Sequence, residues 1–588
     1  MSGSSGRASA LIVLLLGLFC AALLVHQRFI GGDGRAYEAT ISGDGEGYYA
    51  YLIAAFIQRD LDHPRIKENL FSSTGDDHVI KFTCGTALLQ APFFLAAHLI
   101  ATLSPWPADG QSPPYPIAIG IGSLCYAVLG LRYLRRLLQS FNLGDGPVAF
   151  ALCILLLGTG LLYYAVLAPS MSHVYSFSMV ACALDAGRRA WLAPARSTLL
   201  RTTFLLALVV LIRPTNLLIV LALPVLTIGG THAPIAWLRK VDPRTWLAAG
   251  TLFIALIGLQ PLLWYLQCGH FFVRPYSTEG FLWDRPMLWS VLFGARKGLF
   301  FYWPLLLLAV PGAVMLFRRS KVAGGALVIA LLSIIYVTGC WWNWYYGWSY
   351  GMRPLIDVLP LFSIPIGFLA NKLWSSARWS LLLGCVPFMA LQLFQTRQYT
   401  LGIIDPENMD REKYAIIFLK GGDRSRGIFG GANMVPPYAP RGLDTLVDTR
   451  RDGDPFRPHW SESASSDGTF VLDATHPISP GIVVDNLRTR AGASIYLEVS
   501  LMRKALDVGA ARTGVVVCSL SDDRAERIHI TWPMEEVPQQ DDRLWRHWRY
   551  AFIAPPPLHG ERFSMHIEQT GQGTLLLKDV QVRVSVPR

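Results

Sequence analysis

A short acidic and aromatic stretch, directly after the first apolar span, is well suited to chemistry at a membrane surface. Residues 43–51 read GDGEGYYAY, with glycines on both sides of Asp44. Those glycines leave the carboxylate open to close approach by a substrate, and the tyrosines suit the boundary between lipid and water. In isolation such a stretch also fits a solvated turn. The charged residues elsewhere in the chain favour a site, with Asp44 as a general base.

Several cations are predicted at the same membrane level as Asp44. Lys81 precedes an apolar segment, Arg296 lies in a long loop between two apolar spans, and Arg353 opens the span that begins at Pro354. An arginine at a dry interface can bind a phosphate through two parallel hydrogen bonds. Each cation alone would also fit a lipid headgroup. Together with one carboxylate they indicate a site for an anionic lipid whose chemistry uses a base.

The loop before Arg353 is unusually aromatic. Residues 341–352 read WWNWYYGWSYGM and hold seven Trp or Tyr rings. Aromatic belts occur at membrane interfaces, but such a belt requires neither so many rings in one loop nor an arginine after them. Because rings stack on sugar faces and line lipid grooves, we expect Tyr345 and Trp348 to contact the substrate.

Other polar residues leave more than one interpretation open. His173 follows a Ser-Met-Ser turn and would either bind substrate or be a satisfied histidine at a helix start. Arg213, beside Pro214, would bond either substrate or backbone freed by the proline. Glu46 is a second carboxylate close to Asp44. We expect no metal and no other cofactor, because no compact cage of oxygen or thiolate ligands is apparent.

The composition indicates a membrane protein. Of the 588 residues, 52% are hydrophobic and only 16% are charged, which places most of the chain in lipid. The net charge of +11 comes from short Lys and Arg clusters between apolar spans, as the positive-inside rule requires. We therefore expect membrane lipids and not nucleic acid as partners. The amino terminus is expected in the cytoplasm and the carboxyl-terminal domain on the outer side of the membrane.

Hydropathy predicts about eleven membrane spans within residues 1–396. The first follows Arg7 and is expected to remain uncleaved, and 27–115 is expected to be an outer loop with interfacial helices, including the Pro-interrupted segment 86–103. The later spans are predicted at 116–134, 147–166, 174–190, 202–213, 214–229, 246–267, 298–317, 323–340, 354–371 and 378–395. The short pair around Pro214 would be either one broken helix or two.

The last third of the chain has a different pattern. Hydropathy falls near residue 398, and 397–457 is predicted to be an irregular linker. Residues 458–588 show alternating apolar and polar positions in eight short segments, which predicts an all-β sandwich of jelly-roll type. The sandwich resembles carbohydrate-binding modules at fold level only. Three tryptophans in it would form either a sugar-stacking face or part of the core: Trp532, Trp545 and Trp548.

The order of these motifs resembles the bacterial GT-C glycosyltransferases, a group that includes the protein O-mannosyltransferases and the aminoarabinose transferase of lipid A. The resemblance covers roughly residues 8–395 and rests on the following features: the acidic loop after the first helix, Lys81 with its apolar segment, the Ser-His turn, the Arg213-Pro214-Thr215-Asn216 break, the Arg-Lys-Gly-Leu-Phe segment and the late Gly-x-Arg motif.

The resemblance implies transfer of a sugar, with inversion, from a polyprenyl-phosphate carrier to a glycan, lipid or protein acceptor outside the inner membrane. In that family an Asp of the first outer loop is the base, and Asp44 is the matching position. Glu46 departs from the simplest pattern by adding a second carboxylate close by, which is the alternative base, and we expect it among the residues that bind the substrate. We expect Lys81 and Arg353 to bind the carrier phosphate, with His173 and Arg296 as further site residues.

Two other functions fit the same residues. A transporter or flippase of lipid-linked sugars would use the same cations and rings without catalysis, and broken helices are common in transporters. No internal symmetry between the two halves is visible in the sequence, and this disfavours the transporter. A ligase or polymerase acting on a diphosphate carrier would need additional cations for the second phosphate.

Overall fold

The structure is a computed structural model of the chain. The residues that it describes are 6–30, 36–61, 71–74, 77–230, 237, 240–276, 279–406, 409–422, 425, 431–432, 443–449, 469–479, 481–484, 495–507, 514–521, 526–534, 544–554, 557, 561–571 and 573–587.

Helices dominate the chain as far as Thr400. The α-helices are α1 Arg7–Val25, α2 Asp44–Leu52, α3 Gly85–Thr102, α4 Pro114–Ser140, α5 Asp145–Leu157, α6 Leu161–Val166, α7 Ser172–Leu192, α8 Arg196–Ile212, α9 Pro243–Ile257, α10 Leu259–Cys268, α11 Leu288–Phe293, α12 Leu299–Tyr302, α13 Ala309–Arg319, α14 Lys321–Cys340, α15 Leu359–Thr400 and α16 Arg411–Ile417. Pi-helical turns cover His26–Ile30 and Ile53–Gln58, and 3₁₀ helices cover Ala36–Thr40, Pro214–Thr227, Pro304–Leu308 and Arg353–Ile356.

Strands concentrate in the carboxyl-terminal part. They are β1 Phe71–Thr74, β2 Asp77–Ile80, β3 Gly431–Ala432, β4 Leu443–Asp448, β5 Phe470–Leu472, β6 Ile482–Val484, β7 Ile495–Ala505, β8 Gly514–Ser521, β9 Glu526–Pro533, β10 Arg546–Ala554, β11 Arg562–Gln569 and β12 Leu575–Pro587. The eight strands predicted beyond residue 458 are all present, as β5 to β12.

The helical part is that of a multi-pass membrane protein. Within the described residues, six helical segments are long and apolar enough to cross a bilayer: Arg7–Arg28, Gly85–Thr102, Pro114–Ser140, Pro243–Cys268, Lys321–Cys340 and Leu359–Thr400. The other predicted spans fall on shorter or more polar helices such as α5, α7 and α8. Since α3 is among the six, its interfacial placement stays a prediction.

Two breaks in the helices correspond to features of the sequence. The chain leaves α8 at Arg213, whose backbone is extended with φ of −155°, and continues as the 3₁₀ helix from Pro214. Proline cannot continue an α-helix without losing a hydrogen bond and clashing with the preceding turn. The two spans predicted on either side of residue 375 correspond to two helices within α15, which meet at a kink where Ala377 has a non-helical φ of −141°.

The chain divides into two compact units. The first comprises Met1–Trp344 and Tyr350–Thr396, and the second comprises Tyr345–Ser349 and Arg397–Arg588. The five-residue segment Tyr345–Ser349 of the aromatic loop thus belongs to the second unit.

The second unit contains an antiparallel β-sandwich. One sheet has the order β3-β10-β7-β12-β4, with β5 also pairing with β12, and the other has the order β6-β11-β8-β9. Alternate residues of both sheets enter one core, for example Leu497 and Val499 of β7 and Val516 and Cys518 of β8. The predicted sandwich is confirmed.

Some described residues of 397–457, the segment predicted as an irregular linker, form regular structure. α15 continues to Thr400, and β4 pairs with β12 at the end of the larger sheet. The stretch 443–448 reads LDTLVD, which is too short and too acidic to indicate a strand by itself. It becomes one because β12 offers its backbone hydrogen-bonding groups.

Candidate functional site

Asp44 begins helix α2. Gly43, directly before it, has φ of +58°, a left-handed conformation that glycine adopts without strain. The backbone N–H of Glu46 donates to the carbonyl of Gly43 at 3.0 Å and closes the first turn. A carboxylate at this end of a helix is stabilised by the helix dipole. The Asp44 side chain is 35% exposed, so it remains accessible to another molecule.

Two glycines of α2 permit very close packing. A Cβ atom on Gly45 would lie 2.0 Å from the hydroxyl oxygen of Ser170, and one on Gly47 would lie 2.1 Å from the ring of Phe82. The hydroxyl of Tyr51 donates to the carbonyl of Phe82 at 2.7 Å. Helix α2 is therefore fixed against both the turn before α7 and the segment before α3.

Arg353 forms an ion pair with Asp44. The distance from Arg353 Nη2 to Asp44 Oδ2 is 2.8 Å, and the arginine side chain is 14% exposed. Burial alone would lower the pKa of Arg353, but the carboxylate of Asp44, together with the phenols of Tyr164 and Tyr48, raises it overall. The hydroxyl of Tyr164 fixes the backbone three residues before Arg353. It accepts from the N–H of Tyr350 at 3.1 Å and donates to the carbonyl of Tyr350 at 3.2 Å.

A second carboxylate, Asp357, lies fully buried one turn beyond Arg353. Its Oδ1 is 2.8 Å from His173 Nδ1, and its Oδ2 accepts from Asn216 Nδ2 at 3.0 Å. Arg213 Nη1 is 3.4 Å from the same Oδ2. Another nitrogen of that guanidinium, Nη2, donates to the hydroxyl of Ser172 at 3.2 Å. One carboxylate thus has two hydrogen-bond partners and one ion-pair partner, which is how a buried charge is stabilised.

His173 is fully buried at the start of α7. Its ring packs edge-on against Tyr164 at 4.9 Å between centroids. Since Nδ1 engages Asp357, Nε2 remains, and Nε2 has no hydrogen-bond partner among the described residues. Among the described residues, His173 is therefore hydrogen-bonded through only one of its two ring nitrogens, so its interpretation as a fully hydrogen-bonded structural histidine holds only in part.

Lys81 is held by a third carboxylate. Its Nζ forms a short ion pair with Glu279 and lies 4.9 Å from the centre of the Tyr276 ring. The indole N–H of Trp342 donates to the other oxygen of Glu279 at 3.2 Å. The start of the aromatic loop thus helps to orient the acid that binds Lys81.

Two phenols, of the buried Tyr48 and the half-buried Tyr276, interact electrostatically with these ion pairs. Burial raises the pKa of Tyr48, whose hydroxyl also interacts with Arg213, Asp44 and Arg353. Burial likewise raises the pKa of Tyr276, which interacts with Tyr48, Asp44, Arg213 and Glu279.

The three ion pairs therefore form one neighbourhood. It contains three cations and three carboxylates, which we call the Asp44 cluster: Lys81, Arg213, Arg353, Asp44, Glu279 and Asp357.

The remaining predicted residues are not members of the Asp44 cluster. Glu46 is two residues after Asp44 on α2, and side chains with this spacing point to different sides of a helix. Arg296 lies between α11 and α12 and is 8% exposed. The hydroxyl of Tyr345 donates to the carbonyl of His529 in β9 at 3.1 Å. Trp348 is 60% exposed. Both aromatic residues belong to the second unit.

Sequence reasoning did not identify Asp357 and Glu279, and it left the role of Arg213 open. A signal existed for Asp357, since an ionisable residue inside a predicted span, here 354–371, is a candidate functional group by default. Glu279 carried no such signal, because it is one acid in a long loop. The link from Arg213 to Asp357 joins positions 144 residues apart and has no counterpart in local sequence.

No protein-family model matches the sequence, and a comparison with curated proteins finds no match. Among solved structures, the chain is similar to the arabinosyltransferase EmbB from Mycobacterium smegmatis, with a TM-score of 0.37 and 10% sequence identity. The match covers 96% of this chain and 64% of that chain, so the chain spans less than two thirds of the length of that enzyme.

Proposed function

We propose that this protein is an inverting membrane glycosyltransferase that moves a sugar from a polyprenyl-phosphate carrier to an acceptor hydroxyl. The observation that supports this most strongly is the pairing of an accessible carboxylate, Asp44, with Arg353 at 2.8 Å. Base and phosphate-binding cation are thus adjacent. The acceptor would be a glycan, a lipid or a protein outside the bacterial inner membrane, with the amino terminus cytoplasmic and the β-sandwich periplasmic.

The proposed reaction is a single displacement at the anomeric carbon. The acceptor oxygen forms a bond to this carbon as the bond from the carbon to the phosphate oxygen breaks, which inverts its configuration. The proton of the acceptor hydroxyl passes to Asp44, and polyprenyl phosphate leaves with the electron pair. A phosphate is a weak base and needs cations more than a general acid, whereas the attacking hydroxyl needs a base within hydrogen-bond reach.

The geometry suggests how Asp44 becomes free to act. In the described structure one of its oxygens is bound by Arg353. A guanidinium can present two parallel N–H groups to a phosphate, so carrier binding would draw Arg353 from the carboxylate to the phosphate. Lys81 would exchange Glu279 for the phosphate in the same way. Each cation is then held near its working position before the carrier arrives.

His173 and Asp357 act as positioning residues in this proposal. Asp357 holds Arg213 and His173 at once, and the phenol of Tyr48 links Arg213 to Asp44 and Arg353 electrostatically. The buried pair would thereby fix the position of a cation without touching the reacting atoms. Glu46 is assigned no catalytic role, because it leaves α2 in a different direction from Asp44.

The test is sugar transfer by purified protein in proteoliposomes, with radiolabelled sugars on polyprenyl phosphate as donors and membrane glycans as acceptors. Asp44→Asn should lower transfer by roughly 10²- to 10⁴-fold, the usual contribution of a general base. Glu46→Gln is the matched control, since it removes a carboxylate from the same helical turn, and it should retain most activity.

Equal loss in both variants, or undiminished transfer by Asp44→Asn, would contradict Asp44 as the base. Carrier binding without any transfer by the wild-type protein would favour a transporter of lipid-linked sugars.

A further inference from the structure

The larger sheet of the β-sandwich carries a polar cleft on its outer face. The cleft has a volume of about 250 Å³. Four adjacent strands contribute to it, through Asp448 of β4, Glu498 and Ser500 of β7, His547 and Arg549 of β10, and Arg583 of β12. It lies within the second unit and contains none of the residues of the Asp44 cluster.

The strand register brings these side chains together. Ser500 lies opposite Arg549 on one side and Gln581 on the other, and Glu498 lies opposite Arg583. Asp448 is in turn opposite Arg583. Because side chains alternate along a strand, these positions share one face, and Val499 between them enters the core.

The charged groups of the cleft form a continuous row. Arg549 Nη2 donates to Glu498 Oε1 at 2.6 Å, and Arg583 Nη1 donates to Glu498 Oε2 at 3.2 Å. Arg583 Nε donates to Asp448 Oδ2 at 3.1 Å. Two guanidinium groups therefore alternate with two carboxylates, and their formal charges cancel. Beside the row, the Ser500 hydroxyl and His547 Nε2 are 2.7 Å apart.

An irregularity in β12 borders the cleft. The register against β7 shifts between Lys578 and Gln581, and Asp579 there has φ of 53°, which is uncommon for a residue other than glycine. Such bulges bend a strand and re-aim the side chains that follow, and they are frequent beside binding sites. Gln581 and Arg583 follow this bulge and line the cleft.

Stability alone does not account well for this arrangement. The arginine side chains are 49% and 41% exposed, and ion pairs with exposed partners contribute little to stability. The sandwich already has an extensive apolar core. A row of fixed polar groups on an open surface is more useful for recognising a ligand, because its donors and acceptors are already in place.

We propose that this cleft binds a neutral carbohydrate. A sugar hydroxyl both donates and accepts hydrogen bonds, so neighbouring hydroxyls match a row in which guanidinium donors alternate with carboxylate acceptors. The cancelling charges disfavour a strongly anionic or cationic ligand. The volume is below the roughly 300–1,000 Å³ of sites for drug-sized ligands, which fits one sugar ring or the end of a chain. This inference does not depend on the proposed transfer reaction.

The test is direct binding by the full-length protein in nanodiscs to immobilised neutral hexose and pentose oligosaccharides, with uronic-acid oligosaccharides as charged comparators. We expect binding of at least one neutral series. Glu498→Gln and Gln581→Ala should each weaken it about tenfold, the loss expected when a hydrogen-bonding partner of the ligand is removed. Lys504→Ala, on the same strand but outside the cleft, is the matched control and should bind normally.

Thermal unfolding measured on the same samples shows whether a variant is folded. Three results would overturn the proposal: no binding of any neutral oligosaccharide by the wild-type protein, tighter binding of the uronic-acid series, or wild-type affinity in both folded cleft variants. Because the assay measures binding and not transfer, its outcome is separable from that of the proposed enzyme activity.

Discussion

Replacing Asp357 with asparagine should destabilise the helical unit far more than the same change at Asp44. Asp357 is fully buried, bonds His173 at 2.8 Å and accepts from Asn216 at 3.0 Å. It also forms an ion pair with Arg213 at 3.4 Å. An asparagine keeps one acceptor oxygen, and its amide nitrogen would face donors in place of the other. Removing one partner of a buried ion pair costs about 3–5 kcal/mol, because the remaining charge is left without compensation.

Asp44→Asn is the matched control for this prediction. It too removes a carboxylate paired with an arginine, but Asp44 is 35% exposed and Arg353 14% exposed, so solvent reaches the pair. Its loss should cost nearer the roughly 0.2–1 kcal/mol of solvent-accessible pairs than the cost of breaking a buried pair. Thermal unfolding in detergent at one scan rate should therefore show a large decrease in midpoint for Asp357→Asn and a small one for Asp44→Asn.

A double variant tests the stated cause. If the destabilisation comes from the uncompensated guanidinium, Arg213→Gln should restore part of the stability of Asp357→Asn. Equal midpoints for the two single variants would refute the reasoning, as would a double variant no more stable than Asp357→Asn alone.

Three further predictions follow from the described contacts. Gly45→Ala should abolish transfer, because its Cβ would lie 2.0 Å from the Ser170 hydroxyl; Ser170→Gly should restore part of the activity in the double variant, and no restoration would contradict the packing argument. Tyr164→Phe removes both hydrogen bonds to the backbone of Tyr350 and should weaken carrier binding in a filter assay. Unchanged binding would show that these hydrogen bonds do not position Arg353. Burial alone would raise the pKa of Glu526, but His529 at 3.2 Å, Ser519 and His566 together lower it overall. This carboxyl therefore stabilises the fold above its unfolded pKa of about 4.3, and the stabilisation is lost as pH falls through its folded pKa. Glu526→Gln should flatten the acid side of the stability profile, and an unchanged profile would contradict this.

The elements that the sequence predicted well are those with strong local signals. The alternation in β7 and β12 is visible residue by residue, and both strands are present. The long apolar run that became α4 is equally clear. The break at Arg213 and Pro214 was predicted because proline restricts the helix directly. β4 was missed, since its strand conformation depends on pairing with β12 and not on its own composition.

The candidate site was predictable only in part. Asp44 and Arg353 were singled out by their unusual surroundings, and the structure brings them into contact. Their partners were harder to find, because Glu279 reaches Lys81 across 198 positions of the sequence. Tyr345 was expected near the substrate together with Arg353 because the two are close in sequence. In the structure its hydroxyl donates a hydrogen bond to the backbone of β9. Local patterns identify groups capable of chemistry, and tertiary contacts decide which of them meet.

Carrier affinity of Asp44→Asn, measured beside transfer, tests the central proposal most directly. If Arg353 moves from Asp44 to the carrier phosphate, the variant should bind the polyprenyl-phosphate sugar at least as tightly as the wild-type protein. The gain should be at most roughly fivefold, since an exposed ion pair contributes up to about 1 kcal/mol. Transfer should be lost at the same time. Weaker carrier binding by Asp44→Asn would contradict the account, because Asp44 would then be a carrier ligand and not the base.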